Sequence, residues 1–260
     1  MKKEREIPLK VQKLEALLRR LPSNHSKRPR IEKELKKRKA GYRGEKSLDK
    51  ELNSFSDQKY NILHDLRLLH SEDSFFQLDT LMVLQNYLLI LEAKNIAGTI
   101  FFDQTFHQLI RTANGNEEAF PDPIIQIDRQ QRQLELWLRK NKFPNIPIFS
   151  LIVIINPATQ IKTDRKNCII KQKVVHTALL PEKIKIYDDN CPNEKITLKE
   201  MKSLIRQLIK LHTSFNPDVL QQFQIQKSEI LTGVHCPECL RLPMKRKRGG
   251  WLCSYCNSIS

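Results

Sequence analysis

FQLDTLMVLQNYLLILEAKN, residues 76–95, is the stretch from which the fold is read. Two apolar runs flank Gln85-Asn86, and each carries a carboxylate at the end away from that pair: Asp79 in one, Glu92 in the other. Runs of Leu, Ile and Val bounded by turn-forming residues read as strands. With Gln85-Asn86 as a two-residue turn, Leu84 pairs with Tyr87, Asp79 falls opposite Glu92, and Gln77 falls opposite Lys94. An odd loop length would break that register. Side chains alternate along a strand, so Gln77, Asp79, Glu92 and Lys94 share one face. Two directly opposed carboxylates repel each other unless a cation lies between them. The plain alternative is a polar strand face in water. Against it, Leu88-Leu89-Ile90-Leu91 runs straight into Glu92, and a buried carboxylate without a partner is costly. Mg²⁺ or Mn²⁺ resolves the conflict, because hard cations take carboxylate oxygens and keep several waters. The Ala93 carbonyl offers one more oxygen. Lys94 is placed to orient a metal-bound water or to stabilise developing negative charge.

Working outward, the periodicity predicts a short amphipathic helix over 8–21, with Leu14, Leu17, Leu18 and Leu21 on one side, closed by Pro22 and Pro29. A second helix is expected over 30–53, interrupted at Gly41 and Gly44. Strands are expected over 60–68, 75–84, 87–94 and 97–102, and an irregular polar stretch over 103–123. A helix follows over 124–141, with Ile127, Leu134 and Leu138 on one stripe, then a buried strand over 148–155. Cys168 to Val175 reads as a further strand and Leu198 to Leu211 as a helix. Strands, a helix and more buried strands argue for an α/β fold with a mixed central sheet flanked by helices.

These blocks resemble a known family. Asp79 followed by Glu92-Ala93-Lys94 matches the D…(D/E)-x-K core of the PD-(D/E)xK nuclease superfamily. The wider pattern resembles the NERD (nuclease-related) domain. Gly41-Tyr42-Arg43-Gly44-Glu45 is similar to its opening G-x-x-G-E, Phe76-Gln77-Leu78-Asp79-Thr80 to its Q-I-D-H segment, Glu92-Ala93-Lys94-Asn95 with Gly98 to its E-x-K-N-x-x-G, and Asp122-Pro123-Ile124-Ile125-Gln126 to its N-P-x-x-Q. Thr80 and Asp122 depart from the usual His and Asn; neither removes a presumed metal ligand. The resemblance spans about Ala40 to Val175. It implies a restriction-endonuclease-like core within a nuclease-related domain at 40–215. It also implies that Glu45 reaches the same metal from the first helix and that Gln126 helps position the substrate or the active site from its own. The plain readings are an exposed helix carboxylate beside Lys46 and a helix start.

At the C-terminus, Cys236-Pro237-Glu238-Cys239 and Cys253-Ser254-Tyr255-Cys256 form C-x₂-C-x₁₃-C-x₂-C. Four thiolates at this spacing suit one tetrahedral Zn²⁺. So short a segment buries little core, so the metal itself supplies folding energy. A zinc ribbon at 234–260 is expected, with His235 a neighbour rather than a ligand. Between the knuckles lie Lys245, Arg246, Lys247, Arg248 and Trp251, suited to gripping phosphates and stacking on a base. The alternative is a solvated loop with Trp251 packed on the metal site.

Of 260 residues, 45 are Lys or Arg and 29 Asp or Glu, a net +16. From Met1 to Lys46 the net is +11, and from His235 to Ser260 it is +4, so the intervening core is near neutral. A neutral core with a basic helical arm (1–39) and a basic C-terminus points to a polyanion, because neutralised phosphates release counterions. Mean hydropathy is −0.49. No apolar run approaches the roughly 18–20 residues of a membrane span, and the basic N-terminus has no apolar stretch after it, so a cytoplasmic location is expected. The remaining histidines, His107 in the polar stretch included, show no ligand spacing. No Ser/His/Asp constellation and no phosphate-binding glycine loop is present. The expected activity is metal-dependent hydrolysis of phosphodiester bonds in nucleic acid, DNA ahead of RNA. The rival is a nucleic-acid-binding accessory protein on a nuclease-like scaffold that does not cut. Oligomeric state is not legible.

Overall fold

A computed structural model describes residues 3–55, 59–164 and 168–260. In chain order the elements are α1 (Leu9–Arg20), α2 (Arg28–Leu52), β1 (Asn61–Ser71), β2 (Ser74–Val83), β3 (Leu88–Lys94), β4 (Thr99–Asp103), β5 (Gln108–Ala113), β6 (Asn116–Pro121) and α3 (Pro123–Lys140). They continue with β7 (Ile148–Ile154), β8 (Gln160–Thr163), α4 (Cys168–Lys173), β9 (Val174–His176), α5 (Leu180–Asn190), α6 (Leu198–Lys210), α7 (Val219–Phe223), β10 (Lys245–Lys247) and β11 (Gly250–Leu252). The chain forms two compact units, Met1–Glu6 with Arg43–Ser214 and Ile7–Tyr42 with Phe215–Ser260. Among the described residues no helix is long and apolar enough to cross a membrane.

The first unit is built on a mixed sheet of order β1-β2-β3-β7-β9. The β1–β2–β3 meander is antiparallel, and β7 and β9 add in parallel. Strand β3 shows why its sequence is a continuous apolar run. Leu88 and Ile90 pack beneath α3 and α6 with Leu134, Trp137 and Leu204. Leu89 and Leu91 pack on the other face with Leu48 and Leu52 of α2 and Ile184 of α5. A strand covered on both sides has no polar face. The β2–β3 ladder runs from Thr80↔Leu91 to Val83↔Leu88, and Leu84 N donates to Tyr87 O at 3.1 Å. This is the register expected from a Gln85-Asn86 turn.

Helix α3 begins where its cap dictates. The Asp122 carboxylate accepts from Ile124 N at 2.8 Å, Pro123 follows it, and Arg139 and Lys140 occupy the last turn. Asp122 is therefore the N-cap of α3. Helix α2 runs unbroken through both glycines, contrary to the expected interruption. A Cβ on Gly44 would lie 2.5 Å from Asn95 Cβ, whereas one on Gly41 would meet nothing within 4 Å. Gly41→Ala should therefore stabilise the chain by about 0.5–1 kcal/mol, the helix-propensity gain. Gly44→Ala should destabilise it by about 1–3 kcal/mol through overpacking. Urea unfolding of the two variants checks the opposite signs.

Three stretches differ from expectation. The polar segment 103–123 is not irregular: β5 and β6 join β4 and β8 in a second sheet of order β6-β5-β4-β8. Its outer strand is almost wholly exposed, so no apolar alternation marks it. The local signal is Asn114-Gly115, whose φ values of +51° and +75° make the tight turn between the two strands. Residues 168–175 are not one strand but helix α4 followed by the three-residue strand β9. Of the helix only Ile170 is buried, so its β-branched residues do not face a ladder. Residues 3–6 do not join a helical arm: Lys3 bridges Leu63 beside β1, with His64 N donating to Lys3 O at 3.0 Å. Helix α5 was not expected from the sequence.

In the second unit, Leu14, Leu17 and Leu21 of α1 pack with Ile31 of α2 and with Val219 and Phe223 of α7. Lys39 pairs with Glu15 at 2.6 Å and Lys10 with Glu34 at 3.0 Å, so part of the basic arm is internally neutralised. The C-terminal segment carries the two-stranded hairpin β10–β11, with Arg246 opposite Trp251.

Candidate active site and candidate metal centre

The site forms where β2 and β3 run past the end of their ladder. The face of Leu81, Val83, Leu88 and Ile90 is the α3 face, and continuing the register puts Asp79 and Glu92 on it. Asp79 Oδ2 accepts from Ala93 N at 3.2 Å, a side chain closing the ladder in place of backbone. Glu92 is 3% exposed and fully bonded. Its Oε1 accepts from Lys94 Nζ at 2.8 Å and from Gln126 Nε2 at 2.6 Å, and its Oε2 accepts from Gln130 Nε2 at 2.9 Å. Lys94 Nζ also donates to Gln126 Oε1 at 2.9 Å. Lys94, Glu92 and Gln126 thus close a triangle that fixes all three.

Gln126 and Gln130 stand one turn apart on α3 and meet the same carboxylate from one helix face. Gln130 went unnoticed in the sequence, although its spacing of four from Gln126 was available as a signal. It also donates to Gln77 O at 3.0 Å, tying α3 to β2. Its own Oε1 is buried with no partner among the described residues.

Glu45, on α2, lies at the other side of this cluster. Its Oε2 accepts from Arg5 Nη1 at 2.6 Å. Burial raises the Glu45 carboxyl above its ordinary range, with Arg5 pulling the other way and Asp65, Glu92 and Asp49 pushing further up. Asp79 is raised more strongly, by burial first and then by Glu92 and Glu45. Each carboxylate resists the charge of the others, the electrostatic condition a divalent cation relieves. The donor set of carboxylate oxygens fits a hard cation. Among the described residues, however, Glu45, Asp79 and Glu92 do not close to within 4.8 Å as a group.

Two further residues went unread. Arg5 is 6% exposed and donates to Asp49, Glu45, Thr80 and the Asp79 carbonyl. His64, opposite Thr80 in the β1–β2 register, has Nδ1 3.1 Å from Thr80 Oγ1 and 3.2 Å from Asp49 Oδ1. Burial lowers its pKa to about 4, with Asp49 opposing, so the ring is neutral at pH 7. His107 sits apart, at the β4–β5 turn, its Nδ1 3.6 Å from Asp122.

The four C-terminal cysteines come together as a second centre. Their sulfurs all lie within 4.8 Å of one another, with Cys236 to Cys256 at 3.6 Å and Cys239 to Cys253 at 3.5 Å. A tetrahedron with metal–sulfur bonds of about 2.3 Å has edges of about 3.8 Å, so the spacing fits one thiolate-bound ion. The two knuckles repeat one conformation: Leu240 N donates to Cys236 O and Asn257 N to Cys253 O, both at 3.0 Å. Leu240 and Asn257 carry matching φ values of +58° and +59°. His235 is outside the cluster. Lys245, Arg246 and Lys247 are exposed on β10, and Arg248 is exposed in the turn after it. Trp251 packs on the cysteines, and the Arg246 guanidinium stands 5.1 Å from its ring.

Residues 40–155 match the family model of the nuclease-related domain, NERD. No curated protein and no solved structure matches the chain. The matched segment carries Glu45, Asp79, Glu92, Lys94 and Gln126. It ends just past β7, short of the resemblance to about Val175 that the sequence carries.

Proposed function

We propose, with the nuclease-related segment as premise, that this protein is a Mg²⁺- or Mn²⁺-dependent nuclease that hydrolyses phosphodiester bonds in DNA. The observation that carries the reading is the Glu92–Lys94–Gln126 triangle at the open end of β3, beside the Asp79 carboxylate that accepts from Ala93 N. Asp79, Glu92 and Glu45 would hold the divalent ion, with the Ala93 carbonyl beside them. Bound there, such an ion lowers the pKa of a water and offsets phosphate charge. Lys94 presents a cation to the scissile phosphate and steadies charge that develops on it. Gln126 and Gln130 hold Glu92 in one rotamer, and Gln126 aims Lys94. Preorganisation of this kind spares the reorganisation that would otherwise add to the barrier.

The cysteine cluster holds zinc in this reading. Lys245, Arg246, Lys247 and Arg248 contact phosphates and Trp251, faced by Arg246, contributes a stacking surface. The basic arm over 1–39 adds to the attraction for a polyanion.

One observation favours the rival, a DNA-binding protein that does not cut. Glu92 is satisfied on both oxygens by internal donors, and Glu45 is held by Arg5. Plasmid and linear DNA incubated with Mg²⁺, Mn²⁺ or a chelator separates the two. Cutting by the wild type that needs the metal and is lost in Glu92→Ala is expected. Intact DNA under every metal, with binding retained, sinks the nuclease reading and favours the scaffold.

A further inference from the structure

The N-terminal residues reach the acidic cluster from outside the segment that matches the family model. Lys3 N donates to Ile62 O at 3.3 Å along the edge of β1, and this carries Arg5 inward. The Arg5 guanidinium meets two carboxylates at once. Nε and Nη2 donate to the two oxygens of Asp49 at 2.9 and 3.2 Å, and Nη1 donates to Glu45 Oε2 at 2.6 Å. Nη2 also donates to Asp79 O at 2.9 Å and to Thr80 Oγ1 at 3.1 Å. A planar fork with nearly every N–H used is a fixed charge, not a solvated one.

Charge balance then counts ions. The carboxylates of Glu45, Asp49, Asp65, Asp79 and Glu92 act on one another across this cluster, with Lys3, Arg5 and Lys94 as its cations. Five carboxylates against three cations leave a charge equal and opposite to that of one divalent ion. A second such ion would put excess positive charge on a half-buried site and would have to displace Arg5 from Glu45 and Asp49.

We propose that Arg5 is a resident cation that fills Asp49 and the Oε2 side of Glu45 and limits the site to a single divalent ion, held by Asp79, Glu92 and the other oxygen of Glu45. The proposal rests on the metal-dependent reading above and adds how many ions the site takes and what sets the number. Arg5 is a positioning residue here: it touches Glu45 and the Asp79 carbonyl, not the reacting atoms.

The test is the stoichiometry of Mn²⁺ bound to the full, zinc-loaded chain, followed by electron paramagnetic resonance of the free ion and by calorimetry. Wild type should bind one Mn²⁺, lost in Glu92→Ala. Arg5→Gln keeps hydrogen bonding but drops the charge, and should bind a second Mn²⁺. Arg5→Lys keeps the charge and should stay at one. Two Mn²⁺ on wild type overturn the proposal, and that count needs no variant to fold. One Mn²⁺ on wild type, Arg5→Gln and Arg5→Lys alike overturns the role of Arg5 and leaves the metal-dependent reading standing. No Mn²⁺ on wild type overturns both.

Discussion

Lys94→Ala is expected to slow metal-dependent DNA cleavage by about 10²–10³-fold while the chain stays folded, the cost of removing one preorganised donor from a developing charge. The separation of the two effects follows from where the side chain lies. Backbone atoms of residue 94 are fixed by the parallel pairing of β3 with β7, Lys94↔Ile154, and alanine keeps all of that. The side chain is 22% exposed and touches Glu92 and Gln126 rather than the apolar core. After truncation Glu92 retains Gln126 and Gln130 as donors. The loss of folding stability should therefore stay near 1 kcal/mol, the order for one partly exposed ion pair. Single-turnover cleavage read beside thermal unfolding checks both halves. Cleavage at the wild-type rate would remove Lys94 from the chemistry, and collapse of the fold would make it a structural residue instead.

Removing the metal from the cysteine cluster should have the largest effect on structure. Chelation, or Cys253→Ser, is expected to unfold residues 234–260 while the mixed sheet keeps its own melting transition. The buried side chains of the module are Cys236, Leu242, Met244 and Cys253, with Cys239 and Trp251 packed partly against the cysteines and Met244. Two of the four are thiols, so the hydrophobic contribution is a few kcal/mol at most. Structural zinc in comparable small modules is worth about 10–16 kcal/mol. Without it the knuckles lose the centre that holds them. The reporter is Trp251. The other tryptophan, Trp137, is buried on the core face of α3, so a Trp137→Phe background isolates the module's fluorescence. An unchanged Trp251 signal after complete removal of the metal would mean the hairpin folds on packing alone.

How much of this was legible depends on the range over which each interaction acts. The β2–β3 register was readable because a two-residue turn fixes every later pair by counting, and Asp79 and Glu92 followed from it. Helix α3 and the cysteine knuckles were readable for the same reason, since their signals repeat every three or four residues. The hairpin of β5 and β6 was readable in principle from Asn114-Gly115, but its exposed strands offered no apolar alternation to support it. Gln130 was hidden behind Gln126, because a glutamine on an amphipathic helix looks like any solvated residue until its facing carboxylate is known. Arg5 left no mark at all. Its partners Glu45, Asp49 and Thr80 lie 40, 44 and 75 residues downstream, and no periodicity spans such distances. In a sequence with many basic residues near its start, the one that is buried reads like the rest.

The pairing of β3 with β7 has a consequence for when competence arises. Leu88 has its ladder partner in Ile148, and Glu92 finds its donors on α3, which lies between the two strands in sequence. Parallel pairing across a helical crossover closes a long loop before any contact rewards it, so it belongs late in folding. A nascent chain that has completed the β1–β2–β3 meander holds its carboxylates without Gln126, Gln130 or the rail that fixes Lys94. On the nuclease reading proposed above, the Glu92–Lys94–Gln126 arrangement is therefore the last feature the domain completes on folding and the first it surrenders on partial unfolding.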